Sequence, residues 1–289
     1  MSHARTAVLT SLAMLAFAGN SLLCRVALKH TSIDAASFTS IRLVSGAFVL
    51  WLIVRITRGA RAPSGGGNWR SAFALFVYAA GFSFAYASLP AATGALLLFG
   101  AVQATMIGHG IWSGERLRRT QLVGLVLALG GVIGLLLPGL SAPPLLGSAL
   151  MLGAGIAWGI YSLRGKGAGD PLQVTAGNFL RAAPLAAGLS LWMMGSASPD
   201  RAGFWYAVSS GALASGIGYA IWYTALPALK ATNAATVQLS VPVIAALGGV
   251  LFLGESLTLR LVLASLAILG GIALVILVKK DANDTINTT

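Results

Sequence analysis

Two arginines, Arg42 and Arg181, stand inside long apolar stretches of this sequence, where a charged side chain is costly. If those stretches cross a membrane, both side chains must point into the protein, because an arginine facing lipid would be expensive. A guanidinium held there could bind a carboxylate or a phosphate of a small molecule. It could equally donate hydrogen bonds to helix-end carbonyls or reach towards the membrane surface. The sequence leaves both interpretations open.

Aromatic and amide side chains occupy the same kind of stretch. Tyr78, Phe82 and Tyr86 are spaced i, i+4, i+8, which places them on one face of a helix. A tyrosine joins an apolar ring to a polar hydroxyl, so this face suits the wall of a hydrated cavity for a small molecule. Ordinary packing, or interhelical hydrogen bonds for the amides, is the alternative. The other candidate cavity residues are Asn20, Gln103, Trp158, Tyr161, Ser215, Tyr219 and Gln238.

Enzyme and metal-site motifs are missing from the sequence. Its three histidines, His3, His30 and His109, are scattered, and the single cysteine, Cys24, cannot form an internal disulfide. The stretch GIYSLRGKG resembles a phosphate-binding loop, but its spacing is one residue too long and Gly167 stands where a serine or threonine is required. The sequence therefore predicts no metal, no cofactor and no enzyme activity.

The composition indicates a membrane protein. The 289 residues are 57% hydrophobic and only 9% charged, and the mean hydropathy is +0.84. Soluble domains carry about 25% charged residues, so this chain cannot cover a water-exposed surface and its expected surroundings are a lipid bilayer. The net charge of +12 would suit nucleic acid. The basic residues, however, lie one to four at a time between apolar runs, and no nucleic-acid partner is predicted.

Ten apolar stretches approach the length of about 20 residues that a helix needs to cross the hydrocarbon core. The predicted fold class is therefore an all-α membrane protein with ten transmembrane helices. The predicted spans are Ala7–Leu28, Ala35–Val54, Ser71–Leu89, Ala91–Trp112, Gln121–Leu137, Leu145–Leu163, Leu172–Met194, Gly203–Leu226, Ala231–Leu253 and Leu259–Val278.

The loop charges predict the orientation of these spans. With the N-terminus inside the cell, the cytoplasmic segments hold 13 Lys and Arg residues and the opposite loops hold three, Lys29, Arg201 and Arg260. Lys and Arg concentrate on the cytoplasmic side of membrane proteins. We therefore expect a multi-pass protein of the inner (plasma) membrane with both termini in the cytoplasm.

The chain also contains an internal duplication. Gly114 to Gly131 reads GERLRRTQLVGLVLALGG, and Gly254 to Gly271 reads GESLTLRLVLASLAILGG, with six of 18 positions identical. FAYASLPA, ending at Ala91, similarly matches IWYTALPA, ending at Ala228. These matches predict two five-helix halves, 1–142 and 143–289. Because each half has an odd number of spans, the halves cross the membrane in opposite directions, an arrangement common in secondary transporters.

Two carboxylates and one helix bend complete the set of candidate residues. Glu115 and Glu255 close the fourth and ninth spans, where a carboxylate can cap the N-terminus of the next helix or act as a proton site. Bends in membrane helices localise at proline and glycine. Pro242, followed by Gly248 and Gly249, therefore predicts a hinge in the ninth span.

Together, ten spans in two halves closed by GERL and GESL resemble the drug/metabolite transporter superfamily, and in particular its EamA-type exporters. In that family a proline often precedes the glutamate within the same span. LSVPVIAALGGVLFLGE has it at Pro242, whereas Val102 occupies the matching position of the first half. The resemblance implies export of small metabolites, most closely neutral and aromatic amino acids.

The sequence thus predicts a secondary exporter of small amphipathic metabolites, which alternates access around a midplane cavity. A sugar-phosphate or nucleotide-sugar carrier of the same fold is the first alternative, although it would need clustered basic residues in its cavity. A membrane-embedded enzyme and a non-transporting membrane scaffold are the alternatives from other classes. The oligomeric state is left open.

Overall fold

A computed structural model describes residues 1–58, 66–114, 116–139, 141–165, 169–198, 200–229 and 231–286. Within these ranges the chain is helical and contains no strand. A π-helical segment, Ser210–Ile217, joins α8 to α9, and single 3₁₀ turns lie at Met194–Ser196 and Leu226–Ala228. The α-helices are α1 His3–His30, α2 Ala35–Arg58, α3 Trp69–Tyr86, α4 Ala91–Trp112, α5 Arg119–Leu136, α6 Leu145–Gly165, α7 Pro171–Trp192, α8 Arg201–Ser209, α9 Gly218–Ala225, α10 Ala231–Gln238, α11 Ser240–Leu253 and α12 Leu259–Ile286.

Short polar residues begin several of these helices. The side chain of Asn68 accepts a hydrogen bond from the Ser71 N–H and so caps α3. Asp170 caps α7 in the same way, with Pro171 at the first helical position, and Asp200 caps α8. Such caps accept hydrogen bonds from N–H groups that have no partner inside the helix. Proline fits the first helical position because its missing N–H would have had no partner there. The local sequence therefore determines where these helices start.

The described residues contain seven stretches that are long and apolar enough to cross a membrane. The predicted starts of spans two, four and six coincide with the first residues of α2, α4 and α6. The eighth and ninth predicted spans are not regular helices, since one contains the π-helical segment and the other is interrupted at Leu239, between α10 and α11. The interruption lies three residues before Pro242, and α11 continues through Gly248 and Gly249.

Contacts between helix termini define two ends of the bundle. At one end, Arg58 in the last turn of α2 pairs with Asp170 before α7, with Nη2 2.6 Å from Oδ2. At the other end, Arg25 near the end of α1 donates from Nη1 to the carbonyl of Tyr86, the last residue of α3, at 2.9 Å. We call the first the proximal end, because α1 begins there, and the second the distal end.

The duplicated stretches pack against each other as α5 and α12. A Cβ added to Gly271 would lie 2.7 Å from the Ala128 nitrogen and 3.1 Å from the Ala128 Cβ, and it would collide with the Gly124 carbonyl oxygen. A Cβ added to Gly124 would in turn lie 2.5 Å from the Gly271 carbonyl oxygen. Small residues at facing positions let membrane helices approach closely, which favours this helix pair.

Gly271→Val is expected to destabilise the protein, because the new side chain would force α5 away from α12. Overpacking of a close contact costs about 1–3 kcal/mol. The matched control is Gly270→Val, since a Cβ there meets nothing within 4 Å. Thermal unfolding and size-exclusion profiles in detergent measure the difference. Equal behaviour of the two variants would contradict a packing role for Gly271.

Candidate functional site

A cavity of about 460 Å³ lies between α1, α3, α4, α6, α7, the π-helical segment, α9 and α10. Its volume falls within the range of about 300–1,000 Å³ that is usual for small-molecule sites. Apolar and aromatic side chains dominate the wall, and amides and hydroxyls interrupt it. The polar members are Asn20, Ser21, Gln103, Ser162, Thr175, Asn178, Ser215 and Gln238, together with the tyrosine hydroxyls.

The cavity is open towards only one end of the bundle. It reaches Gly165 and Pro171, two exposed residues at the proximal end. Towards the distal end its lining residues are buried, among them Asn20, Phe82 and Ser215. Among the described residues, the lining therefore leaves an entrance for a small molecule at the proximal end and none at the distal end.

Aromatic rings from both halves of the chain form a continuous belt across the cavity. The ring of Trp158 lies 4.7 Å from that of Tyr78 and 5.4 Å from that of Tyr219, measured between centroids. Phe17 extends the belt at 5.5 Å from Tyr219, and Tyr161 stacks on Trp158 at 5.1 Å. Stacked and tilted rings at these separations attract one another and hold a firm apolar surface.

Several polar lining groups already have protein partners. The Asn20 Oδ1 accepts a hydrogen bond from the Ser210 hydroxyl, which joins α1 to the π-helical segment. The Gln238 Nε2 donates to the Ala234 carbonyl at 3.2 Å. Asn178 donates to the Tyr161 hydroxyl at 3.4 Å and accepts from the Asn68 N–H at 2.9 Å. These bonds orient the amides and tie the wall to the loop before α3.

Most of the residues predicted to form a cavity are brought together here. Nine of the twelve line it, and three do not, namely Arg42, Tyr86 and Arg181. The nine are Asn20, Tyr78, Phe82, Gln103, Trp158, Tyr161, Ser215, Tyr219 and Gln238. Tyr86 instead packs behind the wall, with its ring edge-on to Phe82 at 4.7 Å.

The two predicted arginines have different surroundings. Arg181 donates from Nη1 to the backbone carbonyls of Gly66 at 2.7 Å and Gly177 at 2.9 Å. This is the structural alternative that the sequence left open, because the donated hydrogen bonds go to main-chain carbonyls. Arg42 is 2% exposed and donates from Nη2 to the Tyr78 hydroxyl at 3.0 Å. Its Nε and Nη1 are buried and have no hydrogen-bond partner among the described residues.

Glu255 takes part in a buried ion pair at the distal end. Arg25 donates from Nε to Glu255 Oε1 at 3.1 Å, and Glu255 Oε2 accepts the N–H of Ala91, the first residue of α4, at 2.8 Å. The expectation that this carboxylate caps the next helix, α12, was wrong. Gly254 has φ +62° and turns the chain back over the end of α11, which points Glu255 towards α4 instead. Glu115 lies outside the described residues.

A second pair of contacts joins the distal loops. The Asp34 Oδ2 accepts the Ser198 N–H at 3.1 Å, and the Asp200 Oδ2 accepts the Ser32 hydroxyl at 3.2 Å. Burial raises the pKa of Asp34, but hydrogen bonds from Ser37 and Ser198 outweigh this effect and hold the pKa below its ordinary value. The Gly203 N–H lowers the pKa of Asp200 in the same way. Both carboxylates are therefore ionised at neutral pH, and the loops stay joined.

Sequence reasoning missed several residues of this site. Phe17, Thr175 and Trp222 line the cavity, but nothing in their spacing distinguishes them from ordinary helix packing. Arg25 did carry a signal, since it lies inside the predicted span Ala7–Leu28, where a charge needs a partner. Glu255 was the carboxylate that could have been considered as the partner of Arg25.

Comparison with known proteins agrees with this architecture. Residues 145–277 match the EamA-like transporter family. An uncharacterized protein of Pseudomonas aeruginosa is 61% identical over 276 residues, 96% of each chain. A solved crystal structure with 20% sequence identity superposes with a TM-score of 0.67 and covers 96% of this chain and 99% of that chain, which shows a shared fold.

Other relatives have a named activity. The threonine/homoserine exporter RhtA of Salmonella typhimurium is 36% identical over 163 residues, and that of Escherichia coli K12 is 33% identical over 156 residues. The matched region spans about half the length of these exporters, 53% and 49% respectively. Together with the apolar helices and the match over residues 145–277, these similarities identify the chain as a multi-pass membrane protein that belongs to the EamA-type branch of the drug/metabolite transporter superfamily.

Proposed function

We propose that this protein is a secondary exporter of neutral amino acids, aromatic ones included, which alternates access around the cavity described above. The observation that carries the proposal is a cavity of amino-acid size, about 460 Å³, that is open at the proximal end and closed at the distal end. Alternating access requires such a one-sided state. The partial similarity to threonine/homoserine exporters supports a neutral amino acid as the substrate.

The chemistry of the wall favours this substrate class over the alternatives. Among the described lining residues there is no Lys or Arg, which a sugar-phosphate or nucleotide-sugar carrier would need. The same residues include no His, Cys, Asp or Glu, so a hydrolytic enzyme would lack the usual acid–base groups. An aromatic wall with amides and hydroxyls instead suits a small amphipathic molecule.

Orientation and symmetry complete the proposal. The excess of Lys and Arg in alternate loops assigns the proximal end and both termini to the cytoplasm of an inner-membrane protein with ten spans. The cavity then faces the cytoplasm and is ready to load a substrate for export. An inverted relation between residues 1–142 and 143–289 is supported by the pairing of α2 with α7 and of α5 with α12, which are corresponding helices of the two halves.

Counterflow in proteoliposomes tests the proposal. Liposomes loaded with unlabelled threonine are expected to accumulate labelled threonine without nucleotide, and unlabelled threonine or phenylalanine outside should inhibit the uptake. Trp158→Ala provides a variant that removes the central ring of the aromatic belt and should abolish the uptake. Inhibition by a sugar phosphate or an organic cation, but by no amino acid, would overturn the proposed substrate class. Uptake no greater than in liposomes without the protein would overturn the transport function.

A further inference from the structure

We infer that Arg42 and Tyr78 form the carboxylate-recognition site of the cavity, with Tyr78 as the group that touches the ligand and Arg42 as the positive charge behind it. The inference rests on the proposed transport of amino acids and names the part of the substrate that this site binds.

Arg42 is a charged group without a counter-ion. Its side chain is almost completely buried, and no ion pair to it occurs in the described part of the chain. The guanidinium carbon lies 4.7 Å from the centroid of Phe82 and 5.3 Å from that of Tyr78. Aromatic faces stabilise a cation, but they leave the Nε and Nη1 protons without acceptors. Buried donors without acceptors are rare, and they show that the described neighbours of this guanidinium do not neutralise its positive charge.

The two rings that Arg42 contacts are themselves part of the cavity wall, whereas Arg42 is not. The rings therefore stand between the guanidinium and the lumen. A positive charge directly behind a low-dielectric wall favours an anionic group on the other side, since little water is present to screen it. This places the preferred position of a carboxylate beside the hydroxyl of Tyr78.

The hydroxyl of Tyr78 can contact the carboxylate of the ligand directly. Its oxygen accepts the Nη2–H of Arg42 at 3.0 Å, so its own proton is directed away from the guanidinium. A ligand carboxylate in the lumen would accept that O–H. The hydrogen bond is strengthened because the donor oxygen is polarised by a cation.

The described residues of the second half contain no equivalent arrangement. Arg181 occupies the corresponding helix but donates to backbone carbonyls. Extending the match between FAYASLPA and IWYTALPA towards the N-terminus pairs Tyr78 with Ser215, which has no ring. One carboxylate site in a cavity shared by two halves gives a bound amino acid a single preferred orientation. The apolar side chain of the ligand then lies against Trp158 and Tyr219, which belong to the second half.

Binding of labelled threonine to the purified full chain in detergent tests the inference, with unlabelled threonine, threonine amide and threonine methyl ester as competitors. The wild type is expected to bind the free acid about 10- to 100-fold more tightly than the amide or the ester. Tyr78→Phe and Arg42→Gln should each reduce this ratio to within a few fold. Arg42→Lys keeps the charge and should retain part of it.

Tyr206→Phe is the matched control. It removes a tyrosine hydroxyl from α8, outside the cavity wall, so the ratio of acid to amide should stay at the wild-type value. Tyr78→Phe keeps the ring and the fold, which preserves the test if Arg42→Gln does not fold. Equal affinity of the wild type for threonine and its amide would overturn the inference while leaving transport intact. An unchanged ratio of acid to amide affinity in Tyr78→Phe would also overturn the inference and leave transport intact. The absence of any threonine binding would instead overturn the proposed substrate.

Discussion

Glu255→Gln is expected to lower the free energy of unfolding by about 3 kcal/mol and to open the distal end of the bundle. Removing one partner of a buried ion pair costs about 3–5 kcal/mol, because the remaining charge is left uncompensated. The side chains of Arg25 and Glu255 are only 9% and 8% exposed. The variant would leave Arg25 without its carboxylate, at the point where the cavity is closed.

The position of this pair explains why opening should follow. Arg25 in α1 also donates to the carbonyls of Tyr86 and Ala87 at the end of α3, and Glu255 after α11 holds the first N–H of α4. Four helices are therefore joined at the distal end by one pair of side chains. An alternating-access protein must separate such contacts to reach its other state, and weakening them shifts the population in that direction.

The native cysteine reports the opening directly. Cys24 is the only cysteine of the chain, and it lies fully buried next to Arg25 in α1. In whole cells, a membrane-impermeant maleimide should label Cys24 slowly in the wild type and faster in Glu255→Gln. Apparent melting temperatures in detergent measure the stability loss in parallel.

Two further variants separate this effect from a general loss of charge. Arg58→Gln breaks the proximal ion pair with Asp170, whose side chains are 52% and 24% exposed. Exposed pairs contribute about 0–1 kcal/mol, so this variant should leave both measurements near wild type. Combining Arg25→Met with Glu255→Gln removes both charges and should cost less than the sum of the single changes. Wild-type labelling of Cys24 in Glu255→Gln would show that the pair does not close the distal end.

Pro242→Ala is expected to slow transport by on the order of tenfold, which corresponds to about 1.4 kcal/mol in the barrier. Proline has no N–H, so residue 242 cannot donate to the carbonyl of Gln238, and the helix is interrupted at Leu239. Gln238 lines the cavity immediately before this break. Alanine would allow α10 and α11 to join into one straight helix, which would resist bending as the cavity changes sides.

The comparison for this variant is Pro184→Ala. Pro184 also lies inside a helix, α7. It does not line the cavity, and the helix is continuous around it. Counterflow rates per folded protein, with folding judged by monodispersity in detergent, should fall only for Pro242→Ala. Full transport by that variant would reduce Pro242 to a packing role. A similar loss in Pro184→Ala would point to general stiffening of the bundle.

The sequence by itself determined the membrane class and much of the cavity. Apolar runs of about 20 residues with few charges predict helices in lipid, because a helix satisfies its own backbone hydrogen bonds where there is no water. The spacing of Tyr78 and Phe82, and their alignment with Ser215 and Tyr219, placed these residues on cavity-facing surfaces, since a helix repeats its faces every three to four residues. The starts of α4 at Ala91 and of α6 at Leu145 also followed from where the apolar runs begin.

Tertiary structure alone decided which charges meet. The spacing of Arg25 and Glu255 says nothing of their contact, because 230 residues separate them and only the folded bundle brings α1 next to the end of α11. The difference between Arg42 and Arg181 is likewise invisible in a sequence that places both at similar depths in corresponding helices. One guanidinium reaches two backbone carbonyls and the other reaches a single tyrosine hydroxyl, because the neighbouring loop, Gly66, approaches only Arg181. Hydrogen bonding depends on distances between atoms, and those are set by how the helices pack rather than by their order along the chain.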